Sequence, residues 1–181
     1  MRLPVFLLLL AGSQAGIATD VLNVCIDYHC EQQLPVTIED QDRQLLLQSF
    51  THPAGNAADE RNRIRQAIAL FEQVIGSSSP TYKDLPKNSG EDELGQLDCI
   101  AESTNTLTYL QWLEHKGRIK WHSTGSRIKR APGFFDVHWA VEIKEMGSGN
   151  RYIVDSWYGG NGDLPAVQTL DDWLNKVPPG N

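Results

Sequence analysis

Three short segments carry residues that could do chemistry together: "GQLDCIAEST" (95–104), "DVHWAVEI" (136–143) and "YIVDSWY" (152–158). Cys99, His138 and Asp155 are a thiol, an imidazole and a carboxylate, the parts of a nucleophilic triad. An unassisted thiol titrates near pH 8.5 and is mostly protonated at neutrality, so a catalytic cysteine needs help. The residues around Cys99 offer it. An acidic, glycine-bearing loop leads to it, an amphipathic pattern runs from it to His115, and Gly117 ends that pattern. A helix starting at Cys99 would favour the thiolate and leave the Cys99 backbone N–H free to donate to an oxyanion. Gln96 is a candidate second donor, and Trp157 and Tyr158 are candidate walls of a substrate cleft.

Strands must then bring His138 and Asp155 to the thiol. Residues 137–143 and 151–157 alternate strongly and read as a hairpin joined through "GSGN". His138, Ala140 and Glu142 share one face of the first strand; Ile153, Asp155 and Trp157 share a face of the second. An even-length loop places His138 and Asp155 on the same side of the sheet. A loop of about six residues (Lys144 to Gly149) would set them directly opposite each other. A two-residue turn would leave them four positions, about 13 Å, apart.

Upstream the chain reads as helical. Thr37 is placed to cap a helix through "IEDQDRQLLLQSF", and Asn56 to cap a second through "AADERNRIRQAIALFEQVIG", with Gly76 as its stop. Ile64, Ala67, Ile68, Phe71, Val74 and Ile75 form the buried stripe of that second helix. A Ser-, Pro- and Gly-rich connection precedes Cys99. Beyond Gly117, "STGS" suggests a first hairpin, and Thr169 caps a short terminal helix. Helices first and an antiparallel sheet second predict an α+β fold.

Composition bounds the rest. "MRLPVFLLLLAGSQA" has one charge, an apolar run and small residues at Ser13 and Ala15, the pattern of a secretory leader with cleavage after Ala15, or after Ala18 as second choice. No other stretch approaches the ~18 apolar residues of a membrane span. The expectation is a secreted or periplasmic single domain, residues 16–181, with no stable membrane insertion after leader removal. Loss of Arg2 with the leader would take the formal charge from −7 to −8. "RIKR" (127–130) is too short a basic cluster to track phosphates, so nucleic acid is not an expected partner. Of three cysteines, Cys25 and Cys30 are close enough in "CIDYHC" to form a disulfide, leaving Cys99 as the free thiol. His29 beside them lacks a second ligand pair, so no metal is expected, and no cofactor is implied.

"LDCIAEST", "VHWAVEI" and "YIVDSWY" together resemble the Cys, His and Asp segments of the transglutaminase-like cysteine peptidase superfamily, related in core fold to papain. The resemblance covers roughly residues 95–157. It implies a nucleophile-bearing helix packed on an antiparallel sheet, with Cys99 as nucleophile, His138 as base and acid, and Asp155 as the orienting group. The implied function is a thiol hydrolase or acyltransferase acting on a peptide, protein or other amide-containing substrate. Ile100 departs from the pattern, since many relatives have an aromatic residue after the nucleophile. Cell-wall endopeptidases of another cysteine-hydrolase family also begin a helix with a "DC" pair, but favour histidine as third member. A catalytically inactive binding module on the same fold is the other alternative.

Overall fold

A computed structural model describes residues 20–88, 93–131 and 137–180. The leader assigned to residues 1–15 lies outside the described residues, as do Phe134 and Phe135 ahead of the His138 strand. The fold is α+β, with helices and antiparallel sheets.

The chain opens on a hairpin that the helical reading missed. β1 (Asp20–Cys25) and β2 (Gln33–Ile38) pair antiparallel, from Asp20↔Ile38 to Cys25↔Gln33. The Cys25–Cys30 disulfide, with Cα atoms 4.8 Å apart, closes the connecting turn. Leu22, Val24, Val36 and Ile38 bury one face, a two-residue period that outweighs the acidic helix-start signal. Thr37 therefore lies within a strand. Helix α1 (Asp40–Leu46) starts later, with Glu39 before it.

α2 (Ala57–Ser78) is capped as expected, the Asn56 side chain accepting from the Asp59 N–H at 2.9 Å. Gly76 is not its stop, because the helix continues to Ser78. A Cβ there would stand 2.9 Å from the Asn161 side chain, so glycine serves close approach. α3 (Cys99–His115) ends at Gly117, whose φ of 66° is the left-handed conformation a helix terminus uses.

The second half is a four-stranded antiparallel sheet in the order β3 (His122–Arg130), β4 (His138–Glu145), β5 (Arg151–Asp155), β6 (Ala166–Thr169). "STGS" does not turn a hairpin. It is a bulge inside β3, where the register against β4 slips between Thr124 and Arg127. β6 is a strand the sequence reading left unassigned. It leads into α4 (Leu170–Leu174), capped by Thr169 through the Asp172 N–H at 3.2 Å.

One core joins these parts. Ile64, Ile68, Phe71 and Ile75 of α2 and Tyr109, Leu110 and Leu113 of α3 pack with Val141, Ile143 and Val154 of the sheet. The Phe71 ring stacks on Tyr109 at 4.6 Å and meets Trp112 edge-on at 5.2 Å. Each such buried side chain contributes about 1.5–3 kcal/mol by leaving water. Glu60 of α2 docks the start of β3, its carboxylate accepting from the N–H groups of Lys120, Trp121 and His122 and pairing with His122 Nδ1 at 2.9 Å. Asn105 clamps the first hairpin to α3, accepting from Cys25 N at 2.7 Å and donating to Cys25 O at 3.0 Å. These anchors fix the sheet and the disulfide loop relative to the Cys99 helix.

Candidate active site

Cys99 is the first residue of α3, and Asp98 is its N-cap. The Asp98 carboxylate accepts from Ile100 N at 3.1 Å and Ala101 N at 2.9 Å. That leaves the Cys99 N–H without a partner among the described residues, at the positive end of a helix of 17 residues. Asp98 also accepts from His29 N at 3.1 Å and faces His29 Nε2 at 3.4 Å, which ties the disulfide loop to the cap of the Cys99 helix. Cys99 is the free cysteine and is half-buried.

The β4–β5 register falls between the two expected limits. Val141 pairs with Val154 and Lys144 with Arg151, and Glu145 N donates to Asn150 O, so the loop is the four residues 146–149. Ala140 thus stands opposite Asp155, and His138 lies two positions away on the same face. A diagonal of this kind is within reach of long side chains. His138 Nε2 and Asp155 Oδ2 are 2.7 Å apart. Both are buried, at 4% and 2% exposure. With Nε2 engaged by the acid, Nδ1 is the ring nitrogen left to interact with Cys99, which lines the same cavity.

Burial by itself would lower the His138 pKa. The Asp155 hydrogen bond, then the Cys99 hydrogen bond, then the charges of both outweigh that effect and raise it from 6.5 to about 9. Imidazolium is therefore the resting form at neutral pH. Trp173 completes the shell, its Nε1–H donating to Asp155 Oδ2 at 2.8 Å and its ring 5.8 Å from that of His138. Trp173 is wholly buried in the core, and its indole N–H also orients the Asp155 carboxylate.

A cavity of about 480 Å³ opens at this point, lined on one side by Tyr28, His29 and Asn88 and on the other by Arg130, His138 and Trp139. Trp157 lines it as expected, with its ring 4.7 Å from His138 and its Nε1–H on Asn88 O at 2.8 Å. Tyr158 does not line it and stands behind, accepting from Arg130 at 3.2 Å. Gln96 is corrected more sharply. Its amide nitrogen donates to Lys83 O at 2.6 Å and its oxygen accepts from Asn88 Nδ2 at 2.6 Å, so it supports Asn88 and is not a second oxyanion donor. Tyr28 and His29 went unseen as wall residues because the hairpin that presents them was read as a helical approach.

Beneath Cys99, His138 and Asp155 lie three buried carboxyls. Asp84 accepts from Leu97 N at 2.6 Å and from the Glu102 side chain. Glu72 accepts from Gly162 N at 2.8 Å and meets Ser156, which in turn bonds Thr106. Burial pushes Glu72 up to about 8 and Asp84 up to about 7, and holds Glu102 well above the usual range, with mutual repulsion adding to Glu72 and Glu102. Among the described residues no group of His, Cys, Asp and Glu is arranged to hold a metal ion. No protein-family model, curated protein or solved structure matches this chain.

Proposed function

We propose that this protein is an exported thiol hydrolase or acyltransferase that acts on amide bonds through Cys99, His138 and Asp155, with the transglutaminase-like resemblance as its nearest parallel. The observation that carries the reading is the 2.7 Å His138–Asp155 bond, in a pair whose histidine lines one cavity together with Cys99. The Cys25–Cys30 bridge suits an oxidising compartment and so supports export.

In this scheme Cys99 attacks as the thiolate, with the His138 imidazolium beside it. Sulfur attacks the substrate carbonyl carbon, and the oxyanion accepts from the Cys99 N–H at the helix start. The carbon–nitrogen bond breaks as the His138 proton passes to nitrogen, releasing the amine and leaving a thioester on Cys99. A water or a second amine then gives its proton to His138 and displaces sulfur from the acyl carbon. Asp155 holds the ring in the required orientation and stabilises its cationic form.

Mass spectrometry of protein treated with a panel of activated acyl esters tests this. A stoichiometric adduct on Cys99, absent in Cys99→Ala and lost on addition of an amine, is expected. Acylation spread over surface lysines, with Cys99 unmodified, would end the catalytic reading.

A further inference from the structure

Arg130 is a buried cation that the acyl-transfer scheme leaves unused. It is the last residue of β3, lies directly opposite His138 in the β3–β4 register, and lines the same cavity. It is only 8% exposed. Its guanidinium donates to Trp173 O and to the Tyr158 hydroxyl and stacks 4.7 Å from the Trp173 ring. Nε has no partner, and among the described residues no carboxylate pairs with Arg130. A carbonyl and a phenol are neutral acceptors. They orient a guanidinium without compensating its charge, and an uncompensated buried charge is costly.

Asp155, the buried carboxylate beside His138, engages His138 and Trp173 through Oδ2, and its Oδ1 has no partner, Arg130 included. Farther along β3, Arg127 and Lys129 lie 5.0 Å and 5.8 Å over the ring of Trp139, which also lines the cavity. Arg127 and Lys129 do not themselves line the cavity; the cations on its sheet wall are Arg130 and the His138 imidazolium, on a chain whose formal charge is −7. Asp98 on the opposite wall is committed to the helix cap and to His29.

Position decides which half of a substrate meets this charge. His138 returns its proton to the leaving nitrogen, so groups beside His138 belong to the amine half. We infer that Arg130 is a specificity-determining residue that binds a carboxylate on the amine half of the substrate. The substrate class is then N-acyl amino acids and peptides cleaved next to a free C-terminal carboxylate. Arg suits this role because its planar fork presents paired donors to a carboxylate. On hydrolysis the acyl carbon–nitrogen bond breaks, nitrogen takes the His138 proton, the carboxylate leaves with the amine, and water later cleaves the thioester. The inference rests on the acyl-transfer reading of Cys99 for its assignment of halves, and its test separates the two.

The probe is a library of N-acetyl tripeptides made twice, once as free acids and once as C-terminal carboxamides, offered to Cys99→Ala protein that binds without turnover. A charge-assisted contact should retain the acids over the matched amides by about tenfold or more. Adding Arg130→Gln should collapse that ratio to near one, and Arg130→Lys should restore part of it. Equal retention of acids and amides, or retention of neither, overturns the inference. That comparison uses intact Arg130, so it holds even if the Gln variant fails to fold. Alkylation of wild-type Cys99 by iodoacetamide below pH 8 reads the other claim by itself. A reactive thiol without acid preference removes only the carboxylate subsite. An inert thiol with acid preference removes the acyl-transfer chemistry and leaves a carboxylate-binding cavity.

Discussion

Replacing Glu72 with glutamine should make the protein more stable, and increasingly so as pH rises. Burial raises the Glu72 carboxyl from 4.5 to about 8, with the Asp84 charge adding to the effect and the Gly162 N–H and Ser156 opposing it. Between those values the unfolded chain has lost the proton and the folded chain still holds it. Stability therefore falls as pH rises from about 4.5 and levels off beyond about 8. At roughly 1.4 kcal/mol per pH unit, the penalty reaches about 4 kcal/mol near pH 7.5, an upper bound because the neighbouring acids share protons. Glutamine keeps an oxygen for the Gly162 N–H and a polar end for Ser156, and never ionises. Urea unfolding of wild type and Glu72→Gln across pH 4.5 to 8.5 measures the difference. The curves should coincide at the acid end and separate by about 2–4 kcal/mol at pH 8, or ~5–15 °C in melting temperature. Parallel curves, or a variant that is less stable at pH 8, would refute the view that Glu72 is held protonated.

Three further outcomes follow from the same geometry. Because the His138 imidazolium persists to about pH 9, kcat/KM for an amide substrate should fall only above that value; Asp155→Asn should move the limb towards 6.5 and cut the rate at least about tenfold, and an unmoved limb would contradict the pairing. Glu60→Ala leaves three backbone N–H groups and His122 Nδ1 unpaired at the start of β3, so denaturant titration should show a loss of about 3–5 kcal/mol. Cys30→Ser opens a short loop and should cost about 2 kcal/mol in unfolding free energy, while slowing Cys99 alkylation through the loss of His29 from Asp98.

The local signals around the thiol were legible because each is short-range. Gly117 ends the Cys99 helix, Asn56 starts α2, and alternation fixes the shared face of His138 and Asp155. What stayed hidden depends on long-range partners. β1 and β2 look helical or irregular until they pair with each other and with Asn105, 80 residues away. "STGS" carries every mark of a turn, and only the presence of β4 alongside makes it a bulge. Gln96 has the right chemistry for an oxyanion donor, but Lys83 O takes its amide. Arg130 sat in the short basic run "RIKR", which the sequence weighs only as a phosphate contact, and its burial under Trp173 and Tyr158 is a tertiary fact.

The four-residue loop at 146–149 has a role out of proportion to its exposure. It touches no part of the cavity and lies seven strand positions, about 23 Å, from His138. Hairpin tips of this kind are where insertions and deletions are ordinarily tolerated. Here the tip is a ruler. Removing two residues would slide β5 along β4 until His138 and Asp155 stand four positions apart, beyond the span of their side chains. Removing or adding one would turn every side chain of β5 to the opposite face, carrying Asp155 away from the imidazole altogether. The spacing of the acid and the base is thus set at the far end of the sheet, and loop length there is under the same constraint as the identity of the residues in the cavity.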